Sequence, residues 1–543
     1  MNILGLHYGH DASVSIIKDG KVLISIASEK VTRIKKDQRI TDDVINYVFN
    51  DSRFSVDEID CIVVSNYLSK ISFSNFKIYK NFIEIKDIDT IFTNTVLKFD
   101  GVFFNKNVEV FAIPHHIGHA ASSYYLSNFN NAICLTIDSS SSSNKEANSL
   151  ISIGNGNKLE YIGTSENMVS QIYTSFTAQL GLGVPTLKAG SMMGLSSYGT
   201  IDQNVVDNID TYIESSNNDG DMFNFYTELF KKISGIQDTI SSENINNFDL
   251  YKNKTKIYNE KKGMNIAATG QYIFEKSILD TINKKIKPYN IKNLCLAGGS
   301  FLNCNVNSLI KEDGWFDNIF HCPAAGDDGI ALGSALYVAH HIFDEPRQNY
   351  SNKQIAYLGQ RYAKSKQLDH KSIALDIANG KIVAWFMGAS EFGPRALGNR
   401  SLLADPRNFH NREIINFAIK NREWFRPFAP SVLEEEAKQW FSPGSPSPFM
   451  LYTQKVLMPE KIPAVTHIDG SARIQTVNFE MNEDYYLLIK EFYKITNVPM
   501  ILNTSLNGGG EPLVETEEDA MNLFLQNDHI NILVINGNIY KKN

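Results

Sequence analysis

Strand-like runs that end on glycine or aspartate and hand over directly to helices recur along this chain. Residues 294–297 are apolar, run into Gly298, Gly299 and Ser300, and continue as a helix-like stretch bearing Asn303 and Asn307. Residues 319–322 lead to Ala325, Gly326, Asp327, Asp328 and Gly329, then to another helix. This alternation describes an α/β fold whose ligands sit at strand ends. At 543 residues the chain exceeds one hydrophobic core, so two to four domains are expected.

The N-terminal end predicts a hairpin. Residues 2–6 and 13–18 read as strands, residues 18–21 as a turn, and 22–27 as a third strand. A strand over 108–113 meets Pro114 and a helix from His115 to about Leu126. A strand over 132–137 ends on Asp138 and a serine run, 139–143. The boundaries that follow are a first domain over 1–345 with an insertion at 203–262, a linker at 346–356 and a second α/β domain over 357–543. The insertion is rich in Asn, Lys, Asp and Ser and shows amphipathic pieces.

Hydrophobic residues make up 43% and charged residues 21%, the balance of a soluble globular protein. No apolar run approaches the roughly 18–20 residues needed to span a bilayer, and the N-terminus lacks a signal-peptide pattern. The five cysteines are scattered without a paired spacing and read as buried thiols of a reducing cytoplasm. An acidic balance, 52 Lys+Arg against 60 Asp+Glu, argues against a nucleic-acid partner.

Against that acidic background the cations of the C-terminal part are concentrated. Residues 391–401 hold Arg395 and Arg400 among Gly393, Pro394 and Gly398. Residues 420–427 add Lys420, Arg422 and Arg426, interleaved with Trp424 and Phe425, and Arg473 follows. Guanidinium groups grip phosphate oxygens in pairs, so the set predicts a polyanion site, whereas any one of these arginines alone reads better as a solvated charge. Asn503 and Ser505 lie two apart in a strand-like run, on one face.

In the N-terminal part, His115 and His119 are four apart on a predicted helix and share a face, whereas His116 points elsewhere. Core histidines show the same spacing. The reading as metal ligands gains from Asp138 and Asp327, each just past a strand. Mixed His/carboxylate ligation suits iron, zinc or manganese. Gly298 and Gly299 allow a ligand to approach the backbone, or make a plain βα turn. There is no P-loop and no glycine-rich dinucleotide turn, so any ATP is held by other means.

With these motifs the chain resembles the O-carbamoyltransferase family of antibiotic and nodulation-factor biosynthesis, to which the tobramycin carbamoyltransferase belongs. The densest matches lie at 391–401, 420–430, 463–476 and 502–512. The resemblance implies an N-terminal actin-like, sugar-kinase-like domain similar to the threonylcarbamoyl-transferase subunit of tRNA modification. It implies a C-terminal domain similar to threonylcarbamoyl-AMP synthase.

The second domain would convert carbamoyl phosphate and ATP, with Mg, to carbamoyl-adenylate, using Arg395, Arg400, Lys420, Arg426, Arg473, Asn503 and Ser505. The first would pass the carbamoyl group to a small-molecule acceptor at a divalent metal, iron foremost, held by His115, His119, Asp138 and Asp327. His10 and Lys35 match the transfer site, and Gly298, Gly299 and Asn303 the adenosine stretch. A cytoplasmic enzyme without nucleic-acid or membrane partner is implied, with a homodimer among the assemblies it allows. Three positions depart from the family pattern: Ser139 after the aspartate, Ser191 where lysine is usual, and Asn265 where aspartate is usual. Two other readings stay open at this level: a kinase or ATPase of the sugar-kinase-like superfold, and a binding protein with a degenerate transfer site.

Overall fold

The computed structural model describes residues 1–52, 54–65, 76–78, 96–138, 149–165, 169–209 and 222–542. The serine run at 139–143, with Ser139, and residues 210–221 of the expected insertion lie outside the described residues.

The first sheet contains β1 (Asn2–His7), β2 (Ser13–Lys18), β3 (Lys21–Ala27), β4 (Cys61–Ser65), β5 (Phe76–Ile78), β6 (Leu97–Phe103) and β7 (Lys106–Ile113). Its order is β3-β2-β1-β4-β7-β6-β5. β1 to β3 form an antiparallel meander, and β4 and β7 add in parallel beside β1. The second sheet contains β8 (Asn131–Ile137), β9 (Ser149–Asn155), β10 (Lys158–Gly163), β11 (Asn293–Ala297) and β12 (Asn318–His321). Its order is β10-β9-β8-β11-β12, again a meander with two parallel strands beside its first strand. This doubled plan is the actin-like, sugar-kinase-like architecture.

The helices His115–Leu126 and Ile330–Tyr337 pack on each other between the two sheets. They cross at glycines: a Cβ at Gly333 would fall 1.9 Å from the Gly118 carbonyl oxygen. Only glycine permits so close an approach, and the crossing fixes the helix that carries His115 and His119.

The C-terminal unit is built on a nine-stranded mixed sheet. Its strands are β13 (Val383–Phe386), β14 (Arg400–Ala404), β15 (Ala429–Leu433), β16 (Phe441–Ser442), β17 (Tyr452–Val456), β18 (Ser471–Val477), β19 (Met500–Ser505), β20 (Ile532–Ile535) and β21 (Asn538–Lys541). The order is β16-β17-β18-β15-β19-β14-β13-β20-β21. A separate core of buried apolar residues, including Trp385, Phe386, Ile501 and Phe492, lies on it.

Two segments are more tightly packed than the sequence implies. The expected linker contains a helix, Asn352–Ala356, with Ile355 and Ala356 buried, and the Tyr350 hydroxyl accepts from the Val22 amide at 3.2 Å. Its apolar side chains bury against the first unit, so it is a docked strap. In the expected insertion, the helix Met222–Ser234 buries Phe223, Phe225, Tyr226, Leu229 and Phe230. Four of these, all but Phe223, share one core with Phe176 and Phe274. The polar composition around that helix hides its apolar face.

The two units meet over a broad interface. Asn307 Nδ2 donates to the Leu451 carbonyl at 3.0 Å, Ser308 Oγ to the Thr453 carbonyl at 2.8 Å, and Tyr452 Oη lies 2.9 Å from His321 Nδ1. Among the described residues no helix is long and apolar enough to cross a membrane.

Candidate active site

Four groups converge between the two sheets of the first unit. Pro114 ends β7 and starts the helix that bears His115 and His119 one turn apart. Asp138 follows β8, and Asp327 opens the short turn before the helix Ile330–Tyr337. One ligand atom from each of the four lies within 4.8 Å of the others. His119 Nε2 stands 3.2 Å from Asp138 Oδ2 and 3.4 Å from Asp327 Oδ1, and His115 Nε2 stands 3.6 Å from Asp327 Oδ1. His116 turns away to Thr136 Oγ1 at 3.0 Å. Gly299 donates its amide to Asp138 Oδ2 at 3.0 Å, so the glycine turn orients a carboxylate of the cluster.

His10 Nε2 reaches Asp327 Oδ2 at 3.5 Å. His7, which sequence reasoning passed over, brings Nε2 to 3.6 Å from the same oxygen and anchors Nδ1 on Ser65 Oγ at 2.9 Å. Its signal was its place at the end of β1, where strand ends meet ligands. The field here favours cations. Burial alone would lower the His119 imidazole, but Asp138 and Asp327 hold it up at about 9. Asp327 likewise raises His10 to about 9 against its burial. Asp327 Oδ1 is buried and accepts no hydrogen bond. Two imidazoles and two carboxylates so converged could hold a divalent ion.

A second site lies between the two units. A cavity of about 340 Å³ is lined by eight cations: Lys35, Lys188, Arg395, Arg412, Lys420, Arg422, Arg426 and Arg473. Lys420 sits just past the π-helical turn Ile414–Ile419, and its ammonium donates to Ser505 Oγ at 3.2 Å and the Asn507 carbonyl at 2.9 Å. Arg422 Nε is held by Asn416 Oδ1 at 2.6 Å. Arg426 Nη1 crosses to Ser191 Oγ at 2.6 Å, so the serine that departs from the family pattern supports an arginine of the other unit. Arg395 Nε and Arg473 Nε are buried and donate to nothing.

Cations so crowded resist their own charge. Burial, then Arg473, pulls Arg395 down to about 9. Burial and neighbouring cations push Lys420 and Arg422 well below their ordinary values, and burial lowers Arg426 and Arg473. Glu511 is the one carboxylate among the described lining residues. A site of this composition suits a multiply charged anion.

Not every expected residue joins a site. Arg400 is fully buried and spends its guanidinium on the carbonyls of Met387, Asn399 and Gly388 at 2.8, 3.1 and 3.3 Å, over the Phe386 ring at 3.7 Å. It braces β14 from within and does not line the cavity. Lys35, expected with His10, lines the cation cavity. Asn503 and Ser505 both line it; the Asn503 amide donates to Ala396, Ser431 and Gln475, leaving Oδ1 unpartnered. Gly298, Gly299 and Asn303 stand on the Asp138 side, where Asn303 caps the helix Cys304–Glu312 and donates to Tyr173 Oη at 2.8 Å. Asn265 accepts from the Thr200 amide at 2.9 Å near the surface. Lys188 and Arg412 were missed because neither belongs to an arginine-rich motif.

Comparison with known proteins matches both units of the chain to family models. A family model described as carbamoyltransferase N-terminus matches residues 2–336, and one described as carbamoyltransferase C-terminus matches residues 374–542. Nodulation protein NolNO of Sinorhizobium fredii is 30% identical over 98% of this chain and 79% of its own length. Nodulation protein U of the same organism is 26% identical over 94% of both chains. An uncharacterized Synechocystis protein is 32% identical over 97% of this chain and 94% of its own. Among solved structures, component A of Acidaminococcus fermentans (R)-2-hydroxyglutaryl-CoA dehydratase aligns at 12% identity and TM-score 0.33. That alignment covers 62% of this chain and 98% of that one.

Proposed function

Because this chain belongs to the carbamoyltransferase family, matched along both of its units, we propose that it is a two-site, ATP-dependent carbamoyltransferase acting on a small-molecule hydroxyl. The observation that carries this reading is the cation-lined cavity, with its depressed cations and two unpartnered guanidinium Nε groups, standing apart from the His/Asp cluster.

In the cavity, water cleaves carbamoyl phosphate to carbamate and phosphate. A carbamate oxygen then attacks the α-phosphorus of ATP, expelling pyrophosphate and leaving carbamoyl-adenylate. Arg395, Arg426, Arg473 and Lys420 bind the phosphates, and closure between units keeps water from the mixed anhydride. At the other site the acceptor oxygen attacks the carbonyl carbon, AMP departs with the hydroxyl proton on its phosphate, and His10, held cationic beside Asp327, steadies the developing negative charge. An iron, zinc or manganese ion held by His115, His119, Asp138 and Asp327 would polarise that carbonyl and stabilise the charge on its oxygen. An amine acceptor would follow the same steps.

The test is pyrophosphate release from ATP by the purified protein with no acceptor added. Release that requires carbamoyl phosphate supports the reading. His119→Ala should keep that release and lose carbamoyl transfer. Conversion of ATP to ADP would instead favour a kinase or ATPase, and normal transfer by His119→Ala would remove the His/Asp cluster from the reaction.

A further inference from the structure

The two sites are joined by one short segment, residues 28–37, and by one carboxylate within it. The helix Ser28–Thr32 is pinned to the C-terminal unit: the Lys30 ammonium donates to the Glu391 carbonyl, and Arg33 Nη1 to the Leu513 carbonyl at 2.6 Å. The far end of the segment is pinned to the first unit, where the Ala12 amide donates to the Asp37 carbonyl at 3.0 Å. On that pinned helix, next to Lys30, stands Glu29, nearly buried. Its Oε1 accepts from Lys35 Nζ at 3.1 Å, and Lys35 lines the cation cavity. Its Oε2 accepts from the Lys36 amide at 2.7 Å.

Lys36 needs that support. Its backbone is left-handed, with φ of 56°, a conformation that costs a non-glycine residue about 1 kcal/mol or more. So held, its ammonium pairs with Asp11 Oδ2. The same Asp11 oxygen lies 3.3 Å from His10 Nδ1, and His10 Nε2 lies 3.5 Å from Asp327. One carboxylate oxygen therefore faces the anion cavity through one lysine. The other faces the metal cluster through Lys36, Asp11 and His10.

We infer that Glu29 is a positioning residue for both sites at once, aiming Lys35 at the anion and holding the Lys36–Asp11–His10 chain against Asp327. This inference rests on the proposed two-site reaction for its purpose but not for its test. Glu29 belongs neither to the described cavity lining nor to the His/Asp cluster, and a merely structural role would change stability without a matched pair of binding defects.

The experiment measures two affinities by calorimetry on the full chain, with pyrophosphate alone and manganese alone as probes. In Glu29→Ala, pyrophosphate should bind about tenfold more weakly. Manganese should weaken about threefold, less than for a direct second-layer partner because three residues, Lys36, Asp11 and His10, stand between Glu29 and Asp327. Lys35→Met should weaken pyrophosphate alike and leave manganese unmoved. The double variant should bind pyrophosphate no worse than Lys35→Met, since Glu29 acts there only through Lys35. Glu29→Gln, which keeps the shape and one acceptor, should show both defects in milder form if Glu29→Ala fails to fold. Loss at one probe only, or additive pyrophosphate losses in the double variant, overturns the inference. Wild-type protein that binds both probes yet releases no pyrophosphate with carbamoyl phosphate would instead count against the proposed function.

Discussion

Among the arginines, position in the chain and direction of the side chain carry different information. Residues 391–401 announce Arg395 and Arg400 together, yet one lines the cavity and the other braces the sheet. Composition places a cation near a site; only the register of β14 against its neighbours decides which way the guanidinium faces. His115 and His119 were legible because helical spacing alone puts them on one face, whereas His7 needed the strand pairing of the first sheet to bring it to Asp327. Removing a cavity guanidinium with Arg426→Ala should lower carbamoyl-phosphate-dependent pyrophosphate release by about a hundredfold. Steady-state kinetics on the folded variant check this, and a change below threefold would take Arg426 out of the anion site.

Glu275 offers a residue-scale check on stability. It lies on the helix Lys261–Thr281 and accepts from Gln271 Nε2 at 2.6 Å, while burial raises its carboxyl from 4.5 to about 6. The folded state therefore holds its proton more tightly than the unfolded chain. Stability from this group is present below the unfolded value and is lost as pH rises through the folded one, a penalty of about 2 kcal/mol at most above pH 6. Glu275→Gln should raise the melting temperature at pH 8 and give no gain at pH 4. A gain of equal size at both would show that the carboxyl charge is not the cause.

At the scale of elements, the helix at 115–126 and the strands within 2–27 and at 293–297 were readable because the local pattern and the Pro and Gly residues that bound it coincide. The nine-strand order of the C-terminal unit was not, since β15 pairs with β18 and β19 across long stretches of chain that no local signal records. The glycine turn after β11 belongs to the legible class, and its role is now specific. Gly298 has φ of 96°, and a Cβ there would fall 2.3 Å from the Ile137 carbonyl oxygen. Gly298→Ala must push β8 away from β11 just where Asp138 follows. It should lower stability by about 2–4 kcal/mol. It should also weaken manganese binding, both measurable by denaturation and calorimetry. A variant with wild-type stability would mean that the turn relaxes freely.

At the scale of the whole molecule, the expected linker turned out to be a docked strap, because its apolar residues are too few to form a visible pattern yet sufficient to bury. The units therefore do not swing on a tether; they share an interface, and the cation cavity lies within it. Asn307 is a pin of that interface. It is fully buried and donates both to Phe301 of its own unit at 2.8 Å and to Leu451 of the other at 3.0 Å. Asn307→Ala leaves two buried carbonyls short of a donor, at about 1–3 kcal/mol each, and the strain is relieved most easily by parting the units. A parted interface admits water to the anhydride made between them. Without acceptor, wild-type protein should retain carbamoyl-adenylate, so AMP accumulates slowly after the first pyrophosphate. In Asn307→Ala, AMP should accumulate several-fold faster while the first pyrophosphate burst changes far less, because every arginine of the cavity is still present. Chromatography of quenched reactions separates the two products. Equal AMP rates in both proteins would mean that protection of the intermediate lies within one unit and owes nothing to the contact between them.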